Sequence, residues 1–258
     1  MDLEIILILI ASAFAAGWVD AIIGGGGLIL IPTILACLPT LPPATVLGTN
    51  KLASALGTGS AAITLTRKVQ LPTAEKRQLK WLIPSALCFA ALGAGFAASI
   101  SNEVLRPIVI TLLLSAGLFV AFQPKFGQGQ QKKSLLSRKR VLFFLVIAAL
   151  ISFYDGVFGP GTGMFLILGG TAILQTDFLQ SAALAKILNF STNIGALTVF
   201  FASGNVSWKL GLILAATNIC GAQVGARTVL KGGTKLLRFA LLTLVVILSV
   251  YLIWQQLS

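Results

Sequence analysis

The sequence predicts an all-α, polytopic membrane protein of about eight to ten membrane segments, read as two inverted repeats with broken or re-entrant short helices after glycine-rich tracts. Three observations predict it. The first is composition: 57% of the 258 residues are hydrophobic and 10% are charged, whereas soluble domains are about 45–50% apolar and about 25% charged. The second is run length. Several apolar runs reach the ~20 residues needed to cross a bilayer, without the short-period alternation of an outer-membrane barrel. The third is repetition: Asp20 and Asp155 lie 135 positions apart, and so do Lys51 and Lys186.

Hydropathy divides the chain into segments 3–23, 27–38, 43–66, 79–100, 104–122, 139–158, 162–175, 178–202, 208–226 and 233–255. The second and seventh are short and follow glycine tracts, so they read as half-helices or re-entrant pieces. Residues 1–122 form a first transmembrane repeat. Residues 123–138 are a polar, basic linker, and 139–258 form a second repeat. Beyond the Asp and Lys pairs, Ser54 and Thr58 match Asn189 and Asn193. Leu92-Gly93-Ala94 matches Val224-Gly225-Ala226 at an offset of 132.

The net charge of +12 is concentrated. Of 19 Lys and Arg, 15 fall in the tracts Arg67–Lys80, Lys125–Arg140 and Arg227–Arg238. Tracts between apolar runs are the positive-inside signature of cytoplasmic loops, not a nucleic-acid footprint. With all three tracts on one side, residues 1–66 and 139–202 each cross an odd number of times, in opposite directions. That is the inverted-repeat arrangement of many secondary transporters. Trp81, Trp208 and Trp254 fit interfacial anchors, and Trp18 fits a deeper position. Arg106 and Arg238, at helix starts, fit interface snorkelling.

The sequence has no histidine, which excludes His-based metal sites, proton relays and nucleophile–His pairs. Cys37, Cys88 and Cys220 lack metal-ligand spacing and read as small core residues. No metal, cofactor or enzymatic activity is expected. The acidic start Met1-Asp2-Leu3-Glu4 lacks the basic region of a signal peptide, so the first apolar run reads as a retained span.

The charges inside the spans are the candidate site. Residues at i, i+3 and i+7 share one helix face. Lys51, Ser54 and Thr58 therefore form a polar stripe with Asn50 beside it, and Lys186, Asn189 and Asn193 form its counterpart. Two Lys and two Asp left unpaired in a membrane would cost on the order of 10 kcal/mol. A purely structural solution is an ion pair within each half, Asp20 with Lys51 and Asp155 with Lys186. The glycine tracts favour a binding role. Gly24, Gly25, Gly26 and Gly27 follow Asp20, and Gly159, Gly161 and Gly163 follow Asp155. Unwound backbone at membrane depth persists where it lines a cavity or is buried in protein. Helix starts also present N–H groups and a positive dipole end to an anion. Lys51, Lys186, Asn50, Ser54, Asn189, Asn193 and the tract glycines are thus candidate anion ligands, with Asp20 and Asp155 as candidate proton-coupling groups. Gly221-x-x-x-Gly225 reads as helix packing.

The stretch Ala16-Gly17-Trp18-Val19-Asp20-Ala21-Ile22-Ile23-Gly24-Gly25-Gly26-Gly27-Leu28, followed by Leu47-Gly48-Thr49-Asn50-Lys51-Leu52, resembles the first-half signature of the sulfite exporter TauE/SafE family, also called the sulfonate uptake permease family. Gly156-Val157-Phe158-Gly159-Pro160-Gly161-Thr162-Gly163, Ala185-Lys186-Ile187-Leu188-Asn189-Phe190 and Asn193, and Val224-Gly225-Ala226-Arg227 extend the likeness through the second half. The resemblance implies a multi-pass inner-membrane transporter for small sulfur-containing anions such as sulfite or organosulfonates, coupled to protons. Membrane lipid, protons and the anion are its expected partners, without nucleic acid. The second tract, Gly-Pro-Gly-Thr-Gly, departs from the first tract's four glycines, so the two half-sites are not equivalent.

The sequence leads to a secondary transporter working by alternating access, with basic loops cytoplasmic. A passive anion channel would share the same lining without needing a titrating carboxylate. A membrane scaffold would use the ion pairs for structure alone.

Overall fold

The computed structural model describes residues 3–121 and 137–231. All regular structure among them is helical: α1 (Leu3–Ile23), α2 (Gly27–Cys37), α3 (Pro43–Lys68), α4 (Thr73–Ser99), α5 (Asn102–Ala121), α6 (Arg138–Val157), α7 (Thr162–Gly169) continued by a π-helical turn (Gly170–Leu174), α8 (Phe178–Ala202) and α9 (Trp208–Leu230). The expected segment 233–255, with Trp254 and Arg238, lies outside the described residues, as does most of the linker 123–138.

Local chemistry places the helix ends. Pro43 opens α3 at its first helical position, where a missing N–H costs nothing and the fixed φ suits a helix. Asp177 caps α8 by accepting from the Gln180 N–H at 2.8 Å. At 11 residues, α2 is about 16 Å long, half the hydrocarbon core of a bilayer. The expected short pieces are therefore helices too brief to span. Among the described residues, four helices are long and apolar enough to cross a membrane: Leu3–Ile23, Glu75–Ser99, Arg138–Val157 and Phe178–Ala202.

One expectation needs correction. The basic tract Arg67–Lys80 is not one loop. Arg67 and Lys68 close α3, residues 69–72 turn, and Lys76, Arg77 and Lys80 lie in the first turns of α4. Polar residues are compatible with helix at a water-facing end, so hydropathy alone set the start of this segment too late.

Named contacts fix helix directions. Phe14 lies against Gly221 and Trp18 against Gly225, so α1 and α9 run the same way. Thr49 meets Ser207 and Thr64 meets Gln223, so α3 also runs with α9. Since α1 and α3 share one direction, the short α2 carries the chain back between them. Gly48 sits against Phe200 and Gly59 against Phe190, so α3 and α8 are antiparallel. Each half's first helix packs mainly on the fourth helix of the other half, α1 on α9 and α6 on α4.

Glycine makes these seams close. A methyl on Gly221 or Gly225 would run into the carbonyls of Phe14 or Trp18, which bears out the packing role expected for this pair. Gly93 and Gly156 do the same for α4 and α6, against Phe153 and Ala90. The outer faces carry Leu7, Ile63, Leu142 and Leu150 exposed. Cys88 and Cys220 also lie exposed, and Cys37 is half-buried. The expectation of three core cysteines thus fails, because a lipid-facing surface is as apolar as the core behind it.

Candidate functional site

The two glycine tracts meet each other. Gly24 has φ +79°, a conformation L side chains rarely adopt, and a methyl there would collide with Gly163. The reciprocal methyl on Gly163 would strike Gly24. The start of α2 and the start of α7 are thus pressed together, and the ends of α1 and α6 converge on the same place. A methyl on Gly27 would touch the Pro160 ring at 3.2 Å and come 3.6 Å from Asn50 Nδ2. Tyr154 pins the second tract, its hydroxyl donating to the Pro160 carbonyl at 2.7 Å. Its ring stacks edge-on with Phe158 and Phe165.

The charged residues are brought together, but not as pairs within each half. Lys51 Nζ donates to Asp155 Oδ2 at 2.7 Å. Lys186 Nζ lies 3.1 Å from Asp20 Oδ2 and also donates to the Asp20 main-chain carbonyl. The pairs are crossed between halves. The physical reason is the antiparallel crossing of α3 and α8 where the tracts touch, which carries each lysine to the opposite carboxylate. Within the first half, α3 reaches Asp20 through Thr58, whose Oγ1 donates to Oδ2 at 3.0 Å.

The two pairs differ in enclosure. The Lys51 and Asp155 side chains are 1% and 2% exposed, whereas Lys186 is sealed and Asp20 is 14% exposed. Gly159, at φ +105°, lets the backbone pass the Lys51 ammonium; a methyl there would sit 2.7 Å from Nζ. The first tract answers Asp20 with the Gly26 N–H, which points at Oδ1 across a long 3.5 Å. A tract N–H expected to face an anion thus faces a carboxylate.

The remaining candidates surround this core. Asn50 is buried, and its side-chain oxygen has no hydrogen-bond partner among the described residues. Ser54 is half-buried. Asn193 Nδ2 lies 3.4 Å from Asn189 Oδ1, to which Thr192 also points at 3.4 Å. Gly25 and Gly161 border the turns without touching the charged groups: the atoms nearest their added methyls are side-chain carbons of Leu28 and Phe165. Sequence reasoning left Thr58 off the ligand set although it stands on the same stripe, and it missed Tyr154, whose signal was its place beside Asp155. It also missed Asn218, a buried amide on α9 whose Nδ2 donates to the Ala13 carbonyl at 3.0 Å. Among the described residues no cluster of Cys, Asp and Glu is arranged to hold a metal ion.

Two paired lysines, two carboxylates and an amide with an unpartnered oxygen, gathered where half-helices begin, form a polar centre inside an apolar bundle. Comparison with known proteins gives the family. Residues 9–252 match the family described as Sulfite exporter TauE/SafE. The chain is 37% identical over 253 residues to a Sinorhizobium protein described as "Probable membrane transporter protein ORF9", covering 97% of this chain and 93% of the relative. It is 33% identical over 256 residues to a "Probable membrane transporter protein" of Haemophilus influenzae, covering 99% and 97%. It is 32% identical to the Escherichia coli "Probable membrane transporter protein YfcA", covering 96% and 90%. No solved structure matches the chain. A multi-pass helical bundle, a match across nearly its whole length and relatives described as membrane transporters lead to one conclusion: the chain belongs to the sulfite exporter TauE/SafE family of membrane transporters.

Proposed function

We propose that the protein is a proton-coupled secondary transporter of small sulfur-containing anions, sulfite or organosulfonates, in the inner membrane. Its halves, 1–122 and 139–258, act as inverted repeats, and its basic segments face the cytoplasm. The crossed ion pairs carry this reading. An anion that binds a buried lysine competes with the carboxylate already there. Protonating that carboxylate releases the lysine and keeps the buried charge balanced, since one proton enters with one anion. A buried charge stripped of its partner is costly, so proton and anion are bound together.

The asymmetry supports a division of roles. Asp20, the more exposed carboxylate, takes the proton, and Lys186 receives the anion with Asn189, Asn193 and Thr58 nearby. Lys51 and Asp155 hold the other side of the centre. Because each pair joins the two halves, exchanging carboxylate for substrate loosens one link between them. This couples binding to the rocking of one half on the other that alternating access requires. Asn50, whose Nδ2 lies near Gly27, supplies a further polar contact.

The test is flux of sulfite and sulfoacetate into proteoliposomes holding the full chain, with and without an imposed pH gradient. Saturable flux that follows the gradient and is lost in Lys186→Met is the expected result. Non-saturating flux indifferent to the gradient would indicate a channel. The sealed Lys51–Asp155 pair favours a second, purely structural reading for that pair alone. Under it, a double apolar replacement of Lys51 and Asp155 leaves transport intact.

A further inference from the structure

We propose that the protein holds one anionic phospholipid of the surrounding bilayer in a side groove between α3, α4 and α8. A cavity of about 480 Å³ lies beside the end of α3 and the start of α4. Ile63, Leu79, Ile187 and Phe190 give it apolar walls, while Thr66 and Lys76 stand at its polar end. Ile63 is 55% exposed, so the groove opens sideways from the bundle. A site walled by hydrocarbon with a single ammonium at one end fits a molecule built the same way, an acyl chain beneath an anionic headgroup.

Charge complementarity selects the anionic headgroup. Arg67, Lys68, Arg77 and Lys80 are exposed at the same end, and among the described residues no acidic one lines the groove. Trp81 is exposed next to them, with the Lys80 ammonium 5.3 Å from its ring centroid. Indole rings and basic side chains collect at headgroup depth, so this end of the bundle stands where a lipid would present its phosphate. Ile187 and Phe190 are neighbours in sequence of Lys186 and Asn189. The acyl chain therefore rests on the helix that carries one of the buried lysines.

The experiment is a titration of the full chain, in nanodiscs of phosphatidylcholine, with phosphatidylglycerol, counting retained lipid by native mass spectrometry. Wild type retains one phosphatidylglycerol in preference to phosphatidylcholine. Lys76→Gln weakens that retention roughly fivefold, the effect of removing one cation near an anionic lipid. Thr66→Trp, which fills the groove from an exposed position, abolishes it, and Ile63→Trp serves if the first variant does not fold. Arg227→Gln, a cation on another helix, leaves retention unchanged. Equal retention of the two lipids by wild type overturns the proposal. So does an equal loss in Arg227→Gln, or wild-type retention in Lys76→Gln or in the filled variant.

Discussion

Lys51 and Asp155 stand 104 positions apart in the chain and 2.7 Å apart in space, each on a helix of a different half. Removing the lysine alone leaves Asp155 sealed without its partner. Lys51→Ala is therefore expected to destabilise the protein by about 3–5 kcal/mol, read as a large loss of thermal stability in detergent. Replacing both members, Lys51→Met with Asp155→Leu, is expected to restore most of that stability, because well-packed apolar residues often match a buried pair.

Crossed pairing has its own signature in double-mutant cycles. Stability changes for Lys51 and Asp155, and for Lys186 and Asp20, are expected to be non-additive by about 0.5–3 kcal/mol. The within-half combinations, Lys51 with Asp20 and Lys186 with Asp155, are expected to show smaller coupling. Larger coupling within the halves would contradict the geometry.

Asp20 carries the proton in the proposed cycle. Asp20→Asn keeps the shape and fixes the group in a neutral state. Flux through this variant is expected to stop responding to a pH gradient. Lys186→Met should lower saturable flux on the order of tenfold to a hundredfold, the value of a hydrogen bond to a charged group. A normal pH response in Asp20→Asn would move proton coupling elsewhere.

The glycines separate by what surrounds them. Gly24→Ala is expected to destabilise or prevent folding, since φ is +79° and Gly163 occupies the methyl's place. Gly95, on α4, has nothing within 4 Å of an added methyl. Gly95→Ala is expected to be neutral or to stabilise by up to about 1 kcal/mol. Thermal unfolding of both variants side by side checks the contrast.

Much of the fold was legible because spans, turns and glycine tracts leave strong one-dimensional marks. The ends of α1 and α8 match their expected segments, and the short α2 and α7 stand where the tracts predicted. What escaped was three-dimensional. Asp20 and Lys51 are close in sequence and repeat as a unit, so a one-dimensional reading joins them within a half. Only the antiparallel crossing of α3 and α8 sends each lysine to the far carboxylate. The cysteines escaped for another reason: with apolar residues on both faces of a helix, hydropathy does not say which face looks inward. Tyr154 contributes through one hydroxyl on the Pro160 carbonyl, which no spacing rule encodes.

Crossed pairing also orders the protein's own synthesis. When residues 1–122 have left the ribosome, Lys51 and the Asp20 carboxylate still lack the partners that α6 and α8 supply. A nascent first half is thus electrically unfinished and cannot settle into its final form. Completion waits for Asp155 and then Lys186 to arrive, some time after the early helices have entered the membrane. Truncation before Lys186 should therefore leave a product that cellular quality control recognises, even with every early helix inserted. Supplying the two halves as separate chains should rescue it only when both are made together.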